Sequence, residues 1–254
     1  MLPKWHLLMA ILSGIAGFVI LLISNDNLYF ALSPIIGVGI LVHVLVASSY
    51  KKANSILLNK CDPVTFIEVF ERLQNSTKNN AELQKITSLQ LSTGYYYLDD
   101  LDKMGNALRI EQGNESRLYP KKFRYNYYNN LFIYHLGKGN LTSAEEMLNQ
   151  CRQTAIELKI IDKHSQQIES FEYALRLAQG NYENAEQAYK KLFNNAPNNL
   201  NRVMIQLRLG KIYLHDDRRE EAKVAFEYVI EHGNTLACVE HARIALNDCI
   251  GGAC

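Results

Sequence analysis

Leu209-Gly210-Lys211-Ile212-Tyr213, followed by Ala222, Ala225, Phe226 and Val229, is the stretch that decides how this chain is built. Gly210 stands three residues before Tyr213. A second small residue, Ala222, comes nine later, and Phe226 lies four beyond it. Spacings of three and four keep side chains on one face of a helix, so the stretch predicts two helices joined by a short turn. Gly210 and Ala222 are expected to face each other where the two helices cross closely, with Tyr213 and Phe226 filling the wedge between them.

Related spacings recur upstream. In residues 81–111, Leu91, Ser92 and Tyr95 occupy the leucine, small and aromatic positions of a first helix, and Met104 and Leu108 those of a second. In residues 121–158, Leu131 keeps its place while Phe132 and His135 stand at the small and aromatic positions. The turn Gly139-Asn140-Leu141 then leads to Ala144 and Leu148, with Thr142 or Ser143 expected to cap the second helix. In residues 162–197, Gly180-Asn181-Tyr182 leads to Ala185, Tyr189 and Pro197, and Tyr173 takes the small position. Residues 200–233 hold the opening stretch. Residues 235–248 carry Leu236, Val239, Ile244 and Leu246 and predict a closing helix over the last open face.

This pattern resembles the tetratricopeptide repeat, whose signature is Leu-Gly-x-x-Tyr and then Ala-x-x-x-Phe. The resemblance covers residues 81–233. The second-helix markers Met104, Ala144, Ala185 and Ala222 are 40, 41 and 37 residues apart, against a consensus of about 34, so helices or connections are lengthened. The resemblance implies an all-α fold, a solenoid of about four helix pairs, whose concave face is lined by first-helix residues and binds a protein or peptide. Counted from the turns, that face offers Gln90 and Tyr96, then Asn126, Asn129 and Asn130, then Gln167, and finally Arg208 and Lys211. Asn and Gln can pair with a peptide backbone, and Arg and Lys can hold a carboxylate. The Lys and Asn set of the chaperone-cofactor carboxylate clamp is not reproduced in order.

The N-terminal residues read differently. Leu7 to Ser24 and Leu28 to Ser49 are two apolar runs separated by Asn25-Asp26-Asn27. Each is long enough to span about 30 Å of hydrocarbon at 1.5 Å per residue, and neither shows the polar stripe of a surface helix. A cleaved signal peptide is the rival reading. The long apolar core, the lack of a small-x-small cleavage site and the second run favour a transmembrane hairpin. Lys4 on one flank and Lys51, Lys52 and Lys60 on the other put both termini in the cytoplasm. Ala10, Ser13, Gly14 and Gly17, with Gly37 and Gly39, give small-residue faces for close packing within the hairpin or against a membrane-protein partner. His6 and His43 both fall toward the cytoplasmic side; an ionisable residue within an apolar run raises a proton or metal role for the pair, but His43 sits about two turns from the helix end, where a neutral imidazole reaches the interface, which is the favoured reading. Residues 1–50 thus predict a membrane hairpin, 51–80 a juxtamembrane linker with Asp62 as N-cap and Pro63 as first helical residue, and 81–254 the repeat domain. The layout looks like that of membrane-anchored repeat proteins of low-GC Gram-positive bacteria.

Composition narrows the function. The chain of 254 residues is 48% apolar and 21% charged with a net charge of +1, which fits an ordered protein and disfavours a nucleic-acid binder. The basic-aromatic segment 117–128 (RLYPKKFRYNYY) has the mixture that nucleic-acid surfaces use, but tyrosines at these spacings pack between repeat helices and its cations suit lipid headgroups. Five cysteines, with no C-x-x-C pair, read as free thiols, with Cys249 and Cys254 a weak redox or metal pair. Carboxylates at Asp99-Asp100-Asp102 and Asp216-Asp217 read as turns, and Glu145-Glu146 and Glu220-Glu221 as first-turn residues favoured by the helix dipole. No phosphate loop, H-E-x-x-H or G-x-S-x-G occurs. The expectation is a binding protein with no enzymatic activity, cofactor or metal: a membrane-anchored adaptor, a structural subunit of a membrane complex, or a peptide-responsive regulator.

Overall fold

The computed structural model describes residues 47–109 and 119–251, and the chain divides into two compact units, residues 1–52 and 53–254. The apolar runs expected to form the hairpin lie outside the described residues but for the final positions of the second. Among the described residues no helix is long and apolar enough to cross a membrane.

Every regular element described is helical. A helical segment covers residues 47–60. It is followed by α1 (Pro63–Ser76), α2 (Ala81–Tyr97), α3 (Leu101–Leu108), α4 (Arg124–Gly137) after a 3₁₀ turn at Lys121–Phe123, and α5 (Leu141–Glu157). Then come α6 (Ile161–Ala178), α7 (Ala185–Asn194), α8 (Asn199–His215), α9 (Arg219–His232) and α10 (Cys238–Gly251). Packing is between neighbours: α2 with α3, α4 with α5, α8 with α9, and each pair with the next, as in a solenoid. α10 packs on α9 and α8 and caps the array.

One turn, repeated, sets the register. Asp99, Gly139, Gly180 and Asp217 each adopt the left-handed conformation, with φ of 58°, 75°, 79° and 55°. The next amide then donates to the carbonyl five residues back: Asp100 to Tyr95 at 3.0 Å, Asn140 to His135 at 2.8 Å, Asn181 to Arg176 at 2.8 Å and Arg218 to Tyr213 at 2.8 Å. This is the Schellman closure, which satisfies orphan carbonyls at a helix end. Four residues beyond each donor lie Met104, Ala144, Ala185 and Ala222, at most 1% exposed. Eight beyond lie Leu108, Leu148, Tyr189 and Phe226, at most 4% exposed. The irregular spacing of the markers is therefore absorbed outside the turn.

The same register extends one unit further toward the N-terminus than the sequence pattern suggested. Cys61 has φ of 54°. Asp62 then caps α1, its carboxylate accepting from the Thr65 amide at 3.0 Å and the Thr65 hydroxyl at 2.7 Å. Phe66 and Phe70, four and eight beyond Asp62, are fully buried, as are Ala53 and Leu57 nearly so. Residues 53–80, read from sequence as part of a linker, thus belong to the compact unit. A Cβ on Gly94 would fall 2.5 Å from Ile67 Cγ1, so α2 approaches α1 as closely as helices do within a pair.

Two expectations need correction. A Cβ at Gly210 would meet Phe226 first, at 2.6, 2.8 and 2.9 Å from three ring atoms. The close approach is real, but the Phe226 ring occupies it; Ala222 is fully buried. The α5 cap is also not Thr142 or Ser143: the helix starts at Leu141 with Asn140 at the N-cap and no side-chain hydrogen bond.

The array closes on itself. The Ala237 amide donates to the Tyr97 carbonyl at 2.9 Å. Asn234 Nδ2 donates to the Lys60 carbonyl at 2.9 Å, and Thr235 Oγ1 to Asp62 Oδ1 at 3.2 Å. Asn199 Nδ2 bridges the Cys61 sulfur at 3.3 Å and the His232 carbonyl at 3.0 Å. His241 Nε2 lies 3.3 Å from Asp99 Oδ2. The last pair and its cap thereby clasp the first two pairs.

Gly210→Ala is expected to cost about 1–3 kcal/mol by overpacking against Phe226, and Phe226→Leu should recover part of that loss. Gly139→Ala meets no neighbour within 4 Å and should cost about 1 kcal/mol, the left-handed penalty alone, with no rescue by Phe226→Leu. Thermal melts of the full chain in detergent would separate the two.

Candidate functional site

The first helices of successive pairs, α2, α4, α6 and α8, carry the residues expected on the inner face. The structure joins many of these residues to one another. Asn130 Nδ2 lies within donating distance of the Leu89 carbonyl at 3.0 Å, Ser92 Oγ at 2.8 Å and Thr93 Oγ1 at 2.9 Å, tying α4 to α2. Asn129 Nδ2 donates to Asn130 Oδ1 at 3.1 Å. Gln167 Nε2 donates to Asn129 Oδ1 at 3.2 Å, and Tyr125 donates to Gln167 Oε1 at 3.1 Å, tying α6 to α4. Arg208 Nη1 donates to Ser170 Oγ at 2.8 Å, tying α8 to α6. A polar seam thus runs across four helices.

Gln90 and Asn130 are 8% and 2% exposed. They lie in the packing between helices and not on an open wall. Asn126, Asn129, Gln167, Tyr96 and Arg208 keep partial exposure, and Lys211 is exposed. Among the residues that define the repeat, Leu91, Ala144, Ala185, Gly210, Tyr213, Ala222 and Phe226 are buried, Tyr95 partly so, while Gly139 and Gly180 are exposed at turns. Tyr95 donates to Glu71 of α1 at 3.2 Å, a link the sequence pattern did not suggest.

Arg208 is held from two sides, by Ser170 and by the Tyr189 ring, whose centroid is 5.5 Å from the guanidinium carbon. Tyr96 and Tyr97 at the end of α2 lie within electrostatic range of the same guanidinium. Although Lys211 is exposed over its length, desolvation of its ammonium end, then the neighbouring Arg208 charge, lowers it below the usual lysine value.

A cleft of about 540 Å³ lies over α7, α8 and α9, with Phe193, Leu209, Tyr213, Val224 and Ala225 in its lining and Lys190, Glu220 and Glu221 charged among them. Beside it, Glu186 of α7 joins the α6–α7 pair to the α8–α9 pair. Arg218 grips it through both oxygens, Nη1 at 2.7 Å and Nη2 at 3.2 Å, and Lys190 adds a contact at 2.7 Å. The Arg218 hydrogen bonds, then that of Lys190, hold the Glu186 carboxyl down to about 2. Three of the four tyrosines of the basic-aromatic segment are buried: Tyr119 and Tyr127 stack with centroids 4.7 Å apart and are each 4% exposed, and Tyr125 is 2% exposed. Burial pushes the thiols of Cys61, Cys151 and Cys238 up to about 11, 12 and 12, which leaves them protonated at neutral pH. The side chains of Cys249 and Cys254 lie outside the described residues. Among the described residues no group of three or more His, Cys, Asp and Glu is placed to hold a metal ion.

Asn130→Ala should cost about 2–3 kcal/mol, from lost hydrogen bonds and a small cavity, measured by denaturant unfolding. Glu186 has a folded value below its unfolded value near about 4.3. Its contribution is therefore present above that pH and is lost as pH falls toward 2. Glu186→Gln should lower stability by about 1 kcal/mol at pH 7, with the difference from wild type vanishing near pH 2 in thermal melts.

Compared with known proteins, the chain matches no family model, no curated protein and no solved structure.

Proposed function

We propose that this chain is a membrane-anchored helical-repeat scaffold of the tetratricopeptide type, holding a protein or peptide partner at the cytoplasmic face. The observation that supports this reading most is the common register of the turns, together with the side-chain hydrogen bonds that link α2 to α4, α4 to α6 and α6 to α8. A stack of this kind presents surface contributed by several units at once, and that suits recognition of another chain. The accessible members of the wall, Asn126, Asn129, Gln167 and Lys211, supply amides and a cation for a backbone or a carboxylate. Two apolar runs in residues 1–50 supply the anchor, both termini remaining cytoplasmic, and tethering raises the partner's local concentration.

A second reading is a structural subunit of a membrane complex, contacting it through the small-residue faces of the hairpin. The mutual pairing of Asn129, Asn130 and Gln167, and the bond from Arg208 to Ser170, favour it, because those side chains already serve the stack.

Cross-linking pull-down of the full chain from membranes tests the two. With Asn126→Ala and Lys211→Gln combined, the scaffold reading expects loss of the main partner; an unchanged partner set would reject the inner wall. Exchange of residues 1–50 for an unrelated two-helix anchor should leave the partner in place for a scaffold and remove it for a subunit.

A further inference from the structure

The two ends of the array meet in a different way from its inner helices. Inside, successive helices meet through apolar side chains: the Phe226 ring fills the space over Gly210, and the Phe132 and Phe171 rings lie 4.5 Å apart between α4 and α6. Across the seam, residues 234–241 supply single polar contacts. Asn234 Nδ2 donates to the Lys60 carbonyl at 2.9 Å, Thr235 Oγ1 to Asp62 Oδ1 at 3.2 Å and the Ala237 amide to the Tyr97 carbonyl at 2.9 Å, and His241 Nε2 lies 3.3 Å from Asp99 Oδ2. The Asn234 and Thr235 bonds are exposed, and the His241 and Asp99 side chains are 49% and 57% exposed. Water competes for these contacts, so each adds little to closure. On one side they fall on the turns at residues 60–62 and 97–99, and on the other on the end of the α9–α10 connection and the first turn of α10. Two buried thiols sit in the same stretches. Cys61 lies between the acceptors Lys60 and Asp62; it is 0% exposed, and its sulfur accepts from Asn199 Nδ2 at 3.3 Å. Cys238 follows Ala237 and is 8% exposed. Cys151, also 0% exposed, belongs to the core cluster of α4, α5 and α6, which contains no residue of the seam.

We propose that residues 234–241 form a latch, which releases the turns at residues 60–62 and 97–99 in one step while the helix pairs stay folded. Proteins open locally where few buried contacts hold a part in place. The latch is a short stretch, so a single displacement breaks its contacts together. The helix pairs keep their own interfaces, because those join neighbours in sequence and do not pass through the seam. Asn199, which also holds the His232 carbonyl at 3.0 Å, leaves Cys61 in the same movement. Release therefore uncovers Cys61 and Cys238, and the seam gates chemistry at these two sulfurs. The latch does not rest on the scaffold reading, since it concerns contacts within the array.

The test is labelling of the full chain in neutral detergent with N-ethylmaleimide, read cysteine by cysteine by mass spectrometry of cleaved peptides. Cys61 should label faster than Cys151, although both are 0% exposed. Below the unfolding transition, labelling of Cys61 and Cys238 should rise with urea far less steeply than the unfolding constant followed by circular dichroism, because a local opening exposes less surface. Asn234→Gly, which suits the left-handed φ of 50° at that position, combined with Thr235→Val removes two exposed bonds. This variant should speed both seam thiols roughly tenfold. Gly210→Ala disturbs an interface that is kept whether the latch is open or closed, so it should lower the melting temperature and leave both seam rates unchanged. Seam labelling as steep in urea as global unfolding, or speeded by Gly210→Ala, would mean exposure by unfolding and overturn the latch. So would Cys61 labelling no faster than Cys151, or seam rates in the Asn234→Gly, Thr235→Val variant equal to wild type.

Discussion

The structure depends on a hydrogen bond from an amide to the carbonyl five residues earlier, made at the turns that follow Tyr97, Gly137, Ala178 and His215. That bond fixes the angle at which the second helix leaves. It also fixes which of its residues turn inward, four and eight positions later. Everything packed between the pairs follows from this phase. Met104 and Ala144 differ greatly in size, and so do Leu108 and Phe226, yet each is buried at an equivalent place. The turn sets the position, and side-chain volume is adjusted across the interface. Around Gly210 the adjustment is extreme, because a whole aromatic ring lies where a methyl group would otherwise be.

This explains what could be read in the residues and what could not. Gly139 and Gly180 announce their turns, since glycine adopts the left-handed conformation without a steric penalty. Asp99 and Asp217 do the same work less visibly, because aspartate tolerates that region only by its short polar side chain. Cys61 gives no such signal, and so the unit that begins at Ala53 was hidden in an apparent linker. The pairing of Phe66 and Phe70 four apart was the available clue. Helix pairs and their core are local matters, and periodicity reports them well.

The inner wall is another matter. Asn130 reads as a ligand-binding amide, and it is satisfied by three acceptors of the neighbouring pair, up to 41 residues away in sequence. Nothing in a spacing pattern tells whether a polar side chain serves a neighbour or a guest. The distinction depends on which helix faces stack, and that is settled by tertiary packing. The same holds for the Ala237 amide and the Tyr97 carbonyl, which meet only because the last turn of the array reaches back to α2.

Closure has a kinetic consequence. An open row of helix pairs folds from local contacts and frays from its ends. Here Asn234 meets Lys60 across 174 residues, and Asn199 meets Cys61 across 138. Such contacts give back nothing until the intervening chain has been ordered, so the loop-closure entropy falls on the final step. The pairs assemble quickly and the seam seals late. Once sealed, neither terminal pair is a free edge from which unravelling can begin.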